Sequence, residues 1–162
     1  MAEIYDFLDS IDVSYERFEH AAVFTVSEAK LLSLEMNGAS TKNLFLRDKK
    51  GIRHFLVTLP QDKQVDLREL STILETSRLS FASPERLKTY LGIEPGSVSL
   101  LALLNDSKNK VEVFVDKEIW DSETILCHPL VNTSTLAVSR DGIRQFLKKT
   151  GHTLRLVKVP IK

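Results

Sequence analysis

Lys42 and Asn43 stand directly before the apolar run Leu44 to Leu46 in the segment STKNLFLRD, residues 40 to 48. The run is typical of a strand that enters a hydrophobic core, where a charge is costly unless it is solvated or paired. Because side chains alternate along a strand, Lys42 shares a face with Leu44 and Leu46, whereas Asn43 shares one with Phe45. Lys42 is therefore either a lysine whose amine reaches water or a cation at the rim of a pocket.

A second candidate for chemistry is the segment GIEPGSVS, residues 92 to 99. The spacing of Gly92, Pro95, Gly96 and Ser97 leaves several backbone N–H groups unobstructed by large side chains. Such a loop can bind a carbonyl oxygen or a carboxylate. Gly92 also fits the end of the preceding helix, and Pro95-Gly96 is an ordinary turn dipeptide. From the residues alone both interpretations remain open.

A third candidate is CHPLVNTST, residues 127 to 135. His128 precedes a proline, so its backbone is expected to be extended and the strand to end there. Asn132 and Thr133 follow after a turn of a few residues. A histidine at a strand end near an asparagine can position a water or a substrate hydroxyl. An ordinary capped loop has the same composition.

Several familiar kinds of catalytic site are excluded by the sequence. Cys127 and His128 are adjacent on a predicted strand and point to opposite faces, so they make a poor Cys–His pair. The four histidines are scattered, and one cysteine cannot build a zinc site. There is no Gly-x-Ser-x-Gly elbow, Walker loop or dinucleotide fingerprint. Chemistry without a metal or cofactor, or simple binding, is what these exclusions leave.

The elements that must position these candidates follow from caps and periodicity. Cap or spacing signals predict helices that begin at Ile4, Thr25, Asp66, Ser83, Asp116 and Ser139. Alternation predicts a hairpin of strands 44–47 and 52–59 around the turn 48–51, and further strands at 13–18, 111–115, 124–127, 135–138 and 154–159. Strands and helices are interspersed without regular βαβ alternation. The sequence therefore predicts one α+β domain over residues 1–162, with a mixed, largely antiparallel, curved central sheet flanked by helices.

The composition restricts the class of protein. At 162 residues, 43% of them hydrophobic, the chain can bury a core without disulfides or metals. No apolar run is long enough to span a bilayer, and the first residues lack a signal-peptide pattern. A single cysteine fits a reducing cytoplasm. The formal net charge of +0 hides basic zones at 42–53 and 140–162, which suit a small nucleic-acid footprint better than long duplex DNA.

Four segments in chain order resemble the YbaK/ProX family of aminoacyl-tRNA deacylases: EHAAVFTVSEA (19–29), STKNLFLRDKKG (40–51), LGIEPGSVSLLALLND (91–106) and HPLVNTSTLAVS (128–139). The resemblance covers essentially the whole chain. It is greatest to free-standing relatives of the editing domain of bacterial prolyl-tRNA synthetase, the ProXp-ala or PrdX type, which clear alanine mischarged on proline tRNA. The family often has a Ser-Pro-Phe-Gly-Leu-like run where this chain has Ser99 followed by Leu100-Leu101-Ala102-Leu103.

The resemblance implies a cytoplasmic enzyme that hydrolyses the aminoacyl ester on the terminal ribose of tRNA without a cofactor. It implies that the cation of Lys42 and the amide of Asn43 meet the ester, ribose or phosphate. Backbone N–H groups at Gly92, Gly96 and Ser97 would receive the oxyanion, and His128 would act in catalysis, with Asn132, by orienting the water or the vicinal hydroxyl. The residues implied to line the pocket are Pro95, Ser99, Leu100, His128, Asn132 and Thr133. The implied partners are the acceptor end of a proline tRNA and, as a second expectation, prolyl-tRNA synthetase. DNA and membranes are not expected partners.

Three alternatives stay open. The substrate can carry cysteine or serine in place of alanine. A module of the same fold can bind tRNA or a synthetase without hydrolysis. An unrelated small ligand-binding protein would require the four matching segments to be a coincidence.

Overall fold

The computed structural model describes residues 2–21, 38–131 and 133–162. The predicted helix that begins at Thr25 and the predicted site residue Asn132 lie outside them. Along the chain the elements are α1 (Ala2–Ser10), β1 (Tyr15–Glu19), β2 (Thr41–Arg47), β3 (His54–Pro60), α2 (Leu67–Ile73), β4 (Ser80–Phe81), α3 (Pro84–Leu91), a 3-10 helix (Leu100–Asn105), β5 (Val111–Asp116), α4 (Lys117–Trp120), β6 (Thr124–Cys127), β7 (Ser134–Ser139), α5 (Arg140–Thr150) and β8 (Leu154–Val157).

The described strands divide between two sheets instead of forming a single central one. A five-stranded sheet has the order β4-β2-β3-β5-β8, and a three-stranded sheet has the order β1-β7-β6. Strand β5 runs parallel to β3 and β8, and the other pairs are antiparallel. The prediction of a mixed, largely antiparallel α+β fold is therefore confirmed. The single-sheet detail is corrected, because β6 meets the larger sheet only through one parallel bridge, between Ala39 and Ile125.

The five-stranded sheet separates two hydrophobic clusters. The first cluster contains Phe45 and Leu56, together with buried side chains of the 3-10 helix and of α5. The second cluster contains Leu46 and Phe55, with side chains of α2. Neighbouring residues of one strand thus face different clusters, as strand alternation requires. Lys42 is four residues from Leu46 on β2, so the two residues share a face of the strand. That face is the one toward the second cluster, as the sequence predicts.

Local chemistry sets most helix boundaries where the sequence predicts them. The side chains of Asp66, Ser83 and Ser139 each accept a hydrogen bond from a backbone N–H in the first turn of the helix that follows. Helix α3 ends at Gly92 in the left-handed region, with φ of 65°. The 3-10 helix and the two-residue β4 are not predicted, since neither is long enough to show periodicity. No helix in the described ranges is long and apolar enough to cross a membrane.

Candidate active site

The free edge of β2 faces the end of β6. Ala39 pairs with Ile125 in a parallel bridge, and the Thr41 hydroxyl donates a hydrogen bond of 2.7 Å to the carbonyl of Leu126. Lys42 and His128 each follow this bridge by three residues in their own segments. Two of the predicted site residues therefore come from neighbouring segments.

Lys42 is half-buried at this edge. Burial lowers the pKa of its amine, an effect only partly offset by the charge of Asp62. A partly desolvated cation attracts an anionic group more strongly than a fully solvated one.

Asn43 lies on the opposite face of β2 from Lys42 and is oriented by the neighbouring strand. Its side-chain oxygen accepts a hydrogen bond of 2.6 Å from the hydroxyl of Thr58, which is 2% exposed. This contact leaves the amide N–H groups of Asn43 on the side of the first cluster. Thr58 is a residue that the sequence reasoning missed, although a hydroxyl inside the apolar strand HFLVTLP is a signal that could have indicated it.

His128 has a defined tautomer. Its Nδ1 atom lies 3.1 Å from the carbonyl oxygen of Ser134, and a carbonyl can only accept, so Nδ1 carries the proton. The Nε2 atom consequently keeps its lone pair. Burial lowers the pKa of His128, and the nearby His20 adds to this, against the opposing effect of the Ser134 carbonyl. A neutral imidazole with a free Nε2 is suited to accept a proton from water.

Ser99 holds the backbone of His128. Its hydroxyl donates a hydrogen bond of 2.5 Å to the carbonyl of His128 and accepts one of 3.1 Å from the N–H of Leu101. Ser99 is fully buried, and Leu100 is 2% exposed within the first cluster. Both side chains are buried in this structure, and their contact with substrate stays a prediction. The hydrogen bond of Ser99 also makes it a positioning residue for His128.

We expect Ser99→Ala to destabilise the fold by about 1–3 kcal/mol, because the variant leaves the buried carbonyl of His128 and the N–H of Leu101 without their partner. Urea unfolding measures this change. Ser77→Ala is the control, since Ser77 is an exposed serine whose hydroxyl accepts from the Lys49 N–H. A Ser99 variant as stable as this control would contradict the assigned role.

Two of the backbone N–H groups in the loop from Gly92 to Ser97 already form hydrogen bonds within the protein. The N–H of Gly92 bonds to the carbonyl of Lys88, and that of Ser97 closes a turn onto the carbonyl of Glu94. The predicted oxyanion role of these two donors is therefore not available in this arrangement. Gly96, at φ of 90°, is the exposed corner of the turn. The oxyanion role of its N–H stays a prediction, as does the contact of Pro95 with substrate.

Two histidines lie on either side of the start of β7. The N–H of His20 bonds to the carbonyl of Thr133, and its Nε2 atom lies 2.8 Å from the hydroxyl of Thr135. The Nδ1 atom of His20 bonds to the carbonyl of Ala21, so both ring nitrogens are occupied. The sequence reasoning did not assign His20, although it lies in one of the four matching segments. The exposed side chain of Thr133 lies beside this pair.

The structure gives no support to a cysteine nucleophile. Cys127 is buried, and burial raises the pKa of its thiol to about 12. A reactive thiolate is therefore scarce at neutral pH. Within the described part of the chain no group of three or more metal-binding side chains comes together.

Comparison with known proteins places these features in a family. The family model described as "Aminoacyl-tRNA editing domain" matches residues 20–146. The prolyl-tRNA editing protein ProX of Acetoanaerobium sticklandii is 35% identical over 152 residues, which cover 94% of this chain and 93% of that protein. The prolyl-tRNA synthetase associated domain-containing protein 1 of Danio rerio is 35% identical over 153 residues, which cover 93% and 83%.

Two solved structures share the fold. The crystal structure of hypothetical protein APE2540 matches with a TM-score of 0.73 and 18% identity, over 97% of this chain and 98% of that one. A second, described as "a putative trans-editing enzyme for prolyl tRNA synthetase", matches with a TM-score of 0.74 and 15% identity, over 99% and 97%. At such identities the likeness supports the fold alone.

Proposed function

Because the chain belongs to the aminoacyl-tRNA editing domain family, we propose that it hydrolyses mischarged aminoacyl-tRNA in trans and that alanine on proline tRNA is its preferred substrate. The observation that carries the proposal is the arrangement at the edge of β2. There Lys42 is a half-buried cation, and the neighbouring segment carries His128, whose Nδ1 holds the proton and whose Nε2 has no hydrogen-bond partner among the described residues.

In the proposed reaction His128 acts as the general base. Its Nε2 atom takes a proton from a water whose oxygen attacks the ester carbonyl. The bond between the carbonyl carbon and the ribose oxygen then breaks, and that oxygen receives the proton from His128. The products are the free amino acid and tRNA. No covalent enzyme intermediate is required, since an aminoacyl ester is already activated and needs positioning more than a strong nucleophile.

Lys42 and Gly96 supply the proposed charge stabilisation. Negative charge develops on the carbonyl oxygen as water attacks, and fixed donors aimed at this oxygen lower the barrier. The Lys42 amine supplies a cation on one side, and the N–H of Gly96 is the proposed backbone donor. Asn43, held by Thr58, is proposed to donate its amide to the terminal ribose.

The link to proline tRNA is proposed from the names of the relatives, and the preference for alanine from the resemblance alone. One methylene of attraction is worth only about 1–3 kcal/mol, so a pocket that favours a small residue works best by excluding larger ones. The 3-10 helix follows Ser99, which holds the carbonyl of His128, and its leucines are packed in the first cluster. We propose that this rigid packing limits the space beside His128.

The test measures release of free amino acid from proline tRNA charged with alanine, cysteine, serine or proline. We expect alanine to be released at least about tenfold faster than proline, consistent with size exclusion. Equal rates for alanine and proline would contradict exclusion. Faster release of cysteine or serine would keep the reaction and replace the substrate. Binding of tRNA without release from any of the four would favour a non-catalytic binding module.

A further inference from the structure

The tip of the β2–β3 hairpin, at the end opposite Lys42, brings two arginines together. Arg47 ends β2, and Arg86 lies in the first turn of α3. Gly51 is between them at φ of 70°, and a Cβ built on it would lie 2.7 Å from Nη2 of Arg86 and 2.9 Å from Nη2 of Arg47. The two nitrogen atoms are therefore no further apart than the sum of these distances. The absence of a side chain at Gly51 permits this approach.

Both guanidinium groups are held in place by fixed acceptors. Arg47 donates to the carbonyls of Asp48 and Lys49, at 3.2 and 3.1 Å. Arg86 donates through Nη1 to the carbonyl of Gly51 at 3.1 Å and to Nε2 of His54 at 3.0 Å. His54 is 1% exposed, and its ring packs at a tilt against that of Tyr90, with ring centroids 4.0 Å apart. The pair is thus oriented in advance of any ligand.

No carboxylate neutralises this pair among the residues that the structure describes. The carboxylate of the neighbouring Asp48 accepts instead from the backbone N–H groups of Ile52 and Arg53. Arg53, on the same hairpin, does have a carboxylate partner, because it forms two hydrogen bonds of 2.9 Å with Glu112. Nη2 of Arg86 and Nη1 of Arg47 donate to no described residue. Like charges held this close repel each other, so a bound anion stabilises the arrangement.

We propose that Arg47 and Arg86 together bind one phosphate of the tRNA backbone. Converging guanidinium groups match the geometry of phosphate oxygens. Arg47 lies on the same face of β2 as Asn43 and four residues further along the strand, which is about 13 Å. A substrate whose terminal ribose lies at Asn43 therefore places a phosphate several nucleotides away at the arginine pair. This inference rests on the proposed function, since it takes tRNA as the substrate.

The experiment uses the full chain and measures the Kd for uncharged proline tRNA and the hydrolysis of alanyl-tRNA. We expect Arg47→Gln and Arg86→Gln each to raise Kd and KM about fivefold, while kcat is unchanged. The slope of log Kd against log salt should fall by about 1 in the double variant. Hydrolysis of an alanylated oligonucleotide that contains only the terminal three nucleotides should not change.

Arg53→Gln is the matched control. It removes the same charge from the same hairpin, but its guanidinium is already occupied by Glu112. If Arg53→Gln raises Kd as much as Arg47→Gln does, the effect is general electrostatics and the phosphate site is wrong. If the arginine variants slowed hydrolysis of the short oligonucleotide as much as hydrolysis of alanyl-tRNA, the phosphate site would also be wrong. The Arg47 side chain, unlike that of Arg86, makes no hydrogen bond to the His54 ring. Arg47→Gln therefore tests the site even where Arg86→Gln lowers the melting temperature.

Failure of the phosphate site can be distinguished from failure of the proposed function. A wild-type protein that hydrolyses alanyl-tRNA while its arginine variants match Arg53→Gln refutes the site alone. A wild-type protein that neither binds tRNA nor hydrolyses any of its esters refutes the proposed function, and the phosphate site with it.

Discussion

Replacing Lys42 with methionine is expected to lower kcat for alanyl-tRNA hydrolysis by about 100- to 1000-fold, the range found when one donor to a developing oxyanion is removed. Methionine keeps the unbranched apolar stem and removes only the cation. Because the Lys42 amine is partly desolvated, as its lowered pKa indicates, its loss is not expected to weaken the fold. The measurement is single-turnover release of alanine, with the urea midpoint as the check on folding.

Two further variants show whether the charge or its position matters. Lys148→Met removes a cation from the exposed face of α5, far along the chain from the β2 edge, and should retain the wild-type rate. Lys42→Arg keeps the charge but changes its shape, and we expect it to recover only part of the rate. If Lys42→Met retained more than half of the wild-type kcat, the cation would have no part in the chemistry.

Elements that depend on local chemistry were predictable from the sequence. The caps at Asp66, Ser83 and Ser139 lie within three residues of the N–H groups that they bind. The β2–β3 hairpin is likewise fixed by its turn at 48–51. The division into two sheets was not predictable, because β3 pairs with β5 and β7 pairs with β1 across long stretches of chain. Strand partners at such separation are not determined by the residues of either strand alone.

The site was predictable as a set of residue types but not as an arrangement. Lys42 and His128 were recognised as candidates from their own segments, whereas the proximity of those segments depends on the distant Ala39–Ile125 bridge. Leu100 was expected to line the substrate pocket, and the structure buries the whole segment Leu100 to Leu103 in the first cluster. Its apolar composition fits a pocket wall and a core equally. Only the packing of α1, α5 and the 3-10 helix around it decides between them.

The second large effect concerns His128, whose replacement by glutamine is expected to lower kcat/KM by about 100-fold, a typical contribution of a general base. In the wild type only the neutral imidazole can take a proton from water. Since burial lowers the pKa of His128 below the ordinary value of 6.5, the midpoint of the acid limb should lie below pH 6.5, and activity at pH 6.5 should exceed half of its maximum. The His128→Gln variant should lose this acid limb along with its rate. A pH profile of kcat/KM from pH 5 to 8 measures both.

His20→Gln is the control, since both ring nitrogens of His20 already have partners and neither offers a lone pair to water. Acid also reduces the free energy of unfolding. A histidine whose pKa is lower in the folded state than in the unfolded state contributes its full stabilisation above pH about 6.5, and this contribution is lost as the pH falls through the pKa of the folded state. His54, whose pKa is lowered by burial and then by Arg86, contributes to that loss. Urea midpoints at each pH therefore separate unfolding from the loss of the base. An acid limb that survives in His128→Gln and disappears in His20→Gln would assign the base to His20 instead.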